Sequence, residues 1–220
     1  IQNCIIEKSF HFCYGAFSNR FYDFATKYGI KAEKVAAEFG SIPTDYDIPA
    51  DTELISMALN ETSAGVTFPA EKIYEIRKSH PEALIAVDGV SAFPAIDLDI
   101  SKVDSAYFSV QKCFGLPAGL GVWIVNDRCL QKAEAKLAAG HSIGAYQALP
   151  NLLKNAAKHQ PTYTANVLNI YLLAKVTADM LEKGIDVIRR ETNYKGLLLQ
   201  HMVESHPQLS HLFEEASLRS

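Results

Sequence analysis

The sequence predicts an α/β fold: a mostly parallel sheet flanked by helices, followed by a helical exit segment. Short apolar runs alternate with helical patterns, the sequence form of a sheet built from crossover units. Several of those runs, LIAVD and GVWIV among them, are almost continuously apolar, as strands covered on both faces require. Beyond Pro150 only helical patterns remain.

The expected strands are residues 10–13, 32–37, 53–59, 83–87, 105–110 and 121–125. Between them, residues 18–28 read as a helix with Ser18 as N-cap and Phe21 and Phe24 three apart. Residues 69–79 follow with Pro69 in the first turn and Ile73 and Ile76 on one face. An Ala/Lys/Leu-rich helix over 127–139 stops at Gly140, and a helix over 164–183 stops at Gly184. Residues 185–205 continue in the same style. The expected division is a large α/β domain over 1–150 and a helical segment over 151–220 that leads toward a further small domain. The chain starts at Ile1 in what reads as a helix tail and stops at Ser220 just after a helix, so truncation at both ends is expected.

With 220 residues, 48% hydrophobic and 21% charged, the chain has ordinary globular composition and enough length to bury one core. A net charge of −4 offers no attraction to nucleic acid or an anionic membrane. No apolar run reaches the ~18 residues of a membrane-spanning helix. The four cysteines, Cys4, Cys13, Cys113 and Cys129, form no CxxC pair, so reduced thiols and a cytoplasmic location are expected. No metal is expected either. His201, His206 and His211 are five apart in a polar helical tail, which does not match i, i+4 ligand geometry.

Chemistry concentrates at the ends of the expected strands, where open α/β sheets collect ligands. Asp88 closes ALIAVD, and its bland alternative is a cap on the next turn through Ser91 or a backbone amide. Lys112 follows another strand in SVQKCFGLPAGLG. An isolated lysine there is usually a surface group. Its apolar, glycine-rich and aromatic surroundings instead suggest burial, which would favour a neutral, nucleophilic amine. Asp88 and Lys112 are 24 positions apart, about one strand–crossover–strand unit, so both strand ends can face one crevice. Pyridoxal 5′-phosphate (PLP) chemistry asks for such a pair: a lysine to hold the aldehyde as an imine and a carboxylate on the pyridinium nitrogen. The turn NETSAGV, with Thr62, and GAFS, with Phe17, follow two further strands. Alone, the first is an ordinary turn and the second a core aromatic.

Taken together, GAFSNRFYDFATKYG, NETSAGV, AVDGVS, SVQKCFGLPAGLGVWIVND and PTYTANVLNIYLL resemble the class V aminotransferases of PLP fold type I. The likeness is to the phosphoserine aminotransferase and alanine–glyoxylate (serine–pyruvate) aminotransferase branch. It covers essentially the whole chain, and the Asp…Lys-x-x-Gly pattern is its specific part. The resemblance implies the fold type I large domain and Lys112 as the catalytic, cofactor-holding lysine. It implies Asp88 at the pyridinium nitrogen, Phe17 stacked on the ring where the family more often has Trp, and Thr62 at the ring oxygen. Gln111 would reach the cofactor phosphate. Thr164 would be given to the phosphate site of a second subunit, implying a homodimer. A small amino acid and a 2-oxo acid would be the substrates.

Some residues depart from the family pattern. Thr164 is followed by Ala165 where the family has Pro, and Cys113 stands where relatives often carry Gly. The family's phosphate cradle and its substrate-carboxylate arginine would lie outside the chain. Two other readings remain open at this point. One is a cysteine desulfurase or lyase, although those relatives usually carry His where Gln111 stands. The other is a catalytically silent PLP-fold chain acting as an interaction subunit.

Overall fold

The computed structural model describes residues 1–212 and 216–220. Its main sheet has six strands in the order β2-β1-β3-β6-β7-β8. They are β1 (Lys8–Cys13), β2 (Lys31–Ala36), β3 (Leu54–Ala58), β6 (Leu84–Asp88), β7 (Ser105–Ser109) and β8 (Gly121–Val125). All neighbours pair in parallel except β7 and β8, which are antiparallel. A two-stranded hairpin, β4 (Asn60–Glu61) and β5 (Val66–Thr67), stands on the end of β3. The expected fold class is borne out, and the strand ends agree within a few residues. The small hairpin, expected as a plain loop, is new.

The helices are α1 (Ala16–Lys27), α2 (Ala70–Ser79), α3 (Asp127–Ala138), α4 (Leu149–Ala156), α5 (Val167–Lys183) and α6 (Ile185–Ser205). The period-two alternation of the strands divides the core between the two faces. Phe10 and Phe12, Ile55 and Met57, and Ile85 and Val87 pack on one face with Ile73 and Ile76 of α2. Leu54, Leu84 and Ala86 face the other way, toward Ala25 of α1 and Cys129 and Ala133 of α3. His11 also lies on this second face, fully buried, with Ser9 Oγ 2.8 Å from Nε2 and Ser56 Oγ 2.6 Å from Nδ1.

At the amino end of the sheet, buried Asp104 ties three elements together. Its carboxylate accepts from Arg77 of α2, from Arg128 of α3 at 3.2 Å, from the side-chain amide of Asn126 at 2.8 Å and from the backbone of Ile85 at 2.7 Å. Asn126 Oδ1 also caps α3 by accepting from the amides of Arg128 and Cys129. The start of β7 is thereby anchored, which fixes where its far end delivers Lys112.

One expected cap is corrected. Ser18 lies inside α1, and the N-cap is Gly15, which contributes no side chain. The Ser18 hydroxyl accepts from the Tyr14 amide at 2.9 Å and donates to the Gly15 carbonyl at 3.2 Å. The first-turn amides of α1 are served instead from the β4–β5 hairpin.

Candidate active site

The strand order reverses direction at β1, since β2 lies on one side of it and β3 on the other. A switch of this kind opens a crevice at the carboxyl ends of the strands. A cleft of about 760 Å³ occupies that position. Phe17, Thr62, Asp88, Gln111 and Lys112, residues that follow or end four different parallel strands, all line it. The cleft continues down the second face of the sheet past Tyr107, Ser105 and Trp123, alongside Phe21 and Phe24 of α1.

Asp88 ends β6 with its carboxylate in a defined setting. Oδ1 accepts from the Val90 amide at 2.9 Å, and Oδ2 accepts from the Tyr107 hydroxyl at 2.7 Å. Burial raises its pKa above the ordinary aspartate value, against the pull of the two hydrogen bonds. Burial, together with the adjacent Asp88 charge, also pushes the Tyr107 phenol up, so Tyr107 remains a donor.

Thr62 Oγ1 donates to Ser91 Oγ at 2.6 Å, and Ser91 Oγ donates to the Asn60 carbonyl at 3.1 Å. The Cys113 thiol donates to the Ser91 carbonyl at 3.5 Å. Ser91 therefore joins the turns that follow β3, β6 and β7. Phe17 is 42% exposed, and the Arg20 guanidinium lies 5.9 Å from its ring centroid.

Lys112 is exposed, contrary to the burial expected from its neighbours. It sits in the β7–β8 hairpin loop, closed by Val110 N–H to Leu120 O at 3.2 Å and Leu116 N–H to Val110 O at 3.1 Å. The nearby apolar side chains turn inward, Val110 and Phe114 being buried, while the lysine points out of the packed layer. Thr164 is exposed in the connection between α4 and α5 and is not part of this chain's cleft.

Sequence reasoning passed over two residues here. Tyr107 belonged to a strand with no mark of its partner 19 positions away. Glu61 stood in a polar turn, yet it is fully buried. The detectable signal was a charged residue directly beside a candidate ligand residue at a strand end. Among the described residues no cluster of His, Cys, Asp or Glu could hold a metal ion, and no helix is long and apolar enough to cross a membrane.

A profile of the family described as "Aminotransferase class-V" matches residues 30–217. The chain belongs to the class V aminotransferase family. Within that family it is similar to a putative phosphoserine aminotransferase of Mycolicibacterium vanbaalenii. The two are 29% identical over 217 residues, covering 97% of this chain and 57% of the relative. It is also similar to the crystal structure of a phosphoserine aminotransferase from Cytophaga hutchinsonii. That match has 48% identity and a TM-score of 0.96, covering 100% of this chain and 61% of the other. An alanine–glyoxylate aminotransferase from Nostoc sp. shares the fold at 20% identity and a TM-score of 0.86, with 99% and 59% covered. The chain thus spans somewhat over half the length of these class V relatives.

Proposed function

We propose that the protein carrying this chain is a PLP-dependent transaminase that moves an amino group between a small amino acid and a 2-oxo acid, with phosphoserine as the favoured donor. The observation that carries this reading is the convergence of Lys112, Asp88, Phe17, Thr62 and Gln111 on one cleft. The phosphoserine preference rests on the names of the M. vanbaalenii and C. hutchinsonii relatives.

The cleft fits the cofactor chemically. A flat aromatic ring is half exposed to it, a carboxylate with two ordered donors faces it, and an exposed amine stands on the adjoining loop. Phe17 would hold a heteroaromatic ring, Thr62 a ring oxygen, Asp88 a protonated ring nitrogen, Gln111 a phosphate and Lys112 the aldehyde carbon. When bound, PLP supplies an electrophilic carbon for amino groups and a conjugated ring that draws electrons from the neighbouring carbon.

This chain's own residues perform the remaining work. Lys112 Nζ would hold the cofactor and, when free, would carry the proton to and from the substrate α-carbon. Its exposure leaves it free to make that exchange. Asp88 would face the ring nitrogen, and the Val90 amide and Tyr107 hydroxyl favour its ionised form, opposing the burial that raises its pKa. Ser91 holds the Thr62 hydroxyl, limiting its rotation.

The division into an α/β cofactor domain over 1–150 and a helical segment over 151–220 that leads to a small domain is part of the same proposal. So is a homodimer in which Thr164 serves the partner's phosphate site. The exposed position of Thr164 supports that role. The deciding experiment is the visible absorbance of the intact protein with PLP, compared with Lys112→Ala. An unchanged spectrum in the variant overturns the assignment. Phosphoserine and alanine assayed as donors with 2-oxoglutarate separate the substrate classes, and light scattering reads the oligomeric state.

A further inference from the structure

Glu61 has a side chain that the proposed chemistry does not use, and it is fully buried. Burial works to raise its carboxyl, but the Ser18 amide, the Ser63 hydroxyl and the Phe17 amide outweigh that and hold it below the usual range. The carboxylate accepts from the Ser18 amide at 2.7 Å (Oε2) and the Phe17 amide at 3.3 Å (Oε1). On Oε1 it also accepts from the Ser63 hydroxyl at 2.7 Å and the Ser63 amide at 3.3 Å. Ser63 Oγ in turn accepts from the Ala16 amide at 2.8 Å. The consecutive amides of Ala16, Phe17 and Ser18, which open α1, are thus all taken by residues 61 and 63.

The pattern is reciprocal. Phe17 is the middle one of the three amides, and Thr62 is the residue between the two acceptors. Both line the cleft. The orphan amides of a helix start are ordinarily satisfied by the side chain of the N-cap residue. Here the N-cap is Gly15, and a Cβ at that position would lie 2.3 Å from Glu61 Cγ and 2.7 Å from Ser63 Oγ. A local cap is therefore sterically excluded by the remote one. The charge also lies at the positive end of the α1 dipole, where an anion is favoured.

We infer that Glu61 is a positioning residue for the cofactor: with Ser63 it locks the first turn of α1 to the β4–β5 hairpin, fixing Phe17 relative to Thr62. The inference rests on the PLP reading of the cleft. Thr62 is tied onward to Ser91, three positions past Asp88, so the lock connects the ring-stacking and ring-oxygen positions to the turn that follows Asp88. A Gln at 61 keeps the shape, but its amide group presents hydrogens where the carboxylate received them from the Phe17 amide or the Ser18 amide.

The test is PLP affinity, measured by absorbance titration of the intact apoprotein, in a mutant cycle. Glu61→Gln is placed in the native background and in a Phe17→Ala/Thr62→Ala background. The expected result is an affinity loss of about tenfold in the first, equivalent to losing one hydrogen bond to a charged group. In the second, Glu61→Gln adds less than about twofold, because the residues it acts through are gone. Unchanged affinity in Glu61→Gln, or an equal loss in both backgrounds, overturns the inference while leaving the cofactor assignment standing. Failure of the native protein to bind PLP, or a Lys112→Ala spectrum identical to native, overturns the cofactor assignment itself and the inference with it. If Glu61→Gln is not recovered folded, Ser63→Ala decides. It removes two links of the lock from an exposed position, and a loss of about threefold supports the inference while native affinity overturns it.

Discussion

The Tyr107 hydroxyl and the Asp88 carboxylate lie 2.7 Å apart across the β6–β7 pairing, and the tyrosine is the donor. The two residues are register partners in neighbouring parallel strands, so their side chains leave the sheet on the same face. Burial favours the neutral form of Asp88, and Tyr107 favours the charged one. Removing the hydroxyl tips that balance. Tyr107→Phe is expected to raise Asp88 further and shift the acid limb of the rate profile of the proposed transamination to higher pH. An acid limb at the native position would show that Tyr107 does not support Asp88.

His11 makes the fold sensitive to acid. Burial lowers its pKa from the usual 6.5 to about 4. The sign follows from proton counting: between those two values the unfolded chain binds the proton and the folded one does not. The contribution is therefore complete above pH 6.5 and is lost as the pH falls toward 4, amounting to roughly 3 kcal/mol across the window. Urea unfolding from pH 7 to pH 4.5 should show this decline, and His11→Gln, which cannot titrate, should flatten it.

Asp104 is expected to be among the most costly single substitutions. Asp104→Asn leaves Arg77 and Arg128 without their shared anion, which is itself buried. Breaking one side of a buried pair costs about 3–5 kcal/mol. Chemical denaturation reads this directly. A loss under about 1 kcal/mol would mean that the surrounding carbonyls of Pro81, Glu82 and Ala83 suffice for the arginines.

Gly15→Ala should weaken PLP binding without touching any cleft residue directly. The new methyl would meet Glu61 at 2.3 Å, and the backbone at Gly15, with φ 174°, carries no strain of its own. Displacement of Glu61 is then the cause, so the affinity loss should match that of Glu61→Gln to within a few-fold. Native affinity in Gly15→Ala would show that the carboxylate can retreat freely.

Much of this architecture was legible because apolar runs mark strands. LIAVD gives Leu84–Asp88 almost residue by residue as a buried central strand, whereas GVWIV gives Gly121–Val125 as a strand but not its setting: it is the antiparallel edge of the sheet, with Trp123 and Ile124 exposed rather than covered on both faces. Asp88 and Lys112 were legible for the same reason, being charged residues at the ends of apolar runs. Glu61 and Tyr107 were not, since their roles lie in contacts between segments distant in sequence. Ser18 misled because a serine at a helix start is usually a cap, whereas here its hydroxyl braces Tyr14 and the capping charge comes from another strand. The exposure of Lys112 was hidden by its apolar neighbours, which are buried precisely because the hairpin turns them inward.

The antiparallel pairing of β7 with β8 has a consequence in time. The strands flanking Lys112 are joined by the loop over 110–120, shorter than the connection over 89–104 that separates β6 from β7, and β-hairpins close in about 1–10 μs. Asp88 reaches its place beside Tyr107 only when β6 pairs with β7 in parallel, through a connection that must cross over and pay a larger closure entropy. The β7–β8 pairing can thus form first, while the loop's contact with Ser91 and the carboxylate's contact with Tyr107 come only as β6 docks. Assembly of the cleft is paced by the parallel contacts, so a substitution that slows β6–β7 docking should delay recovery of cofactor binding during refolding while leaving the hairpin's own formation untouched.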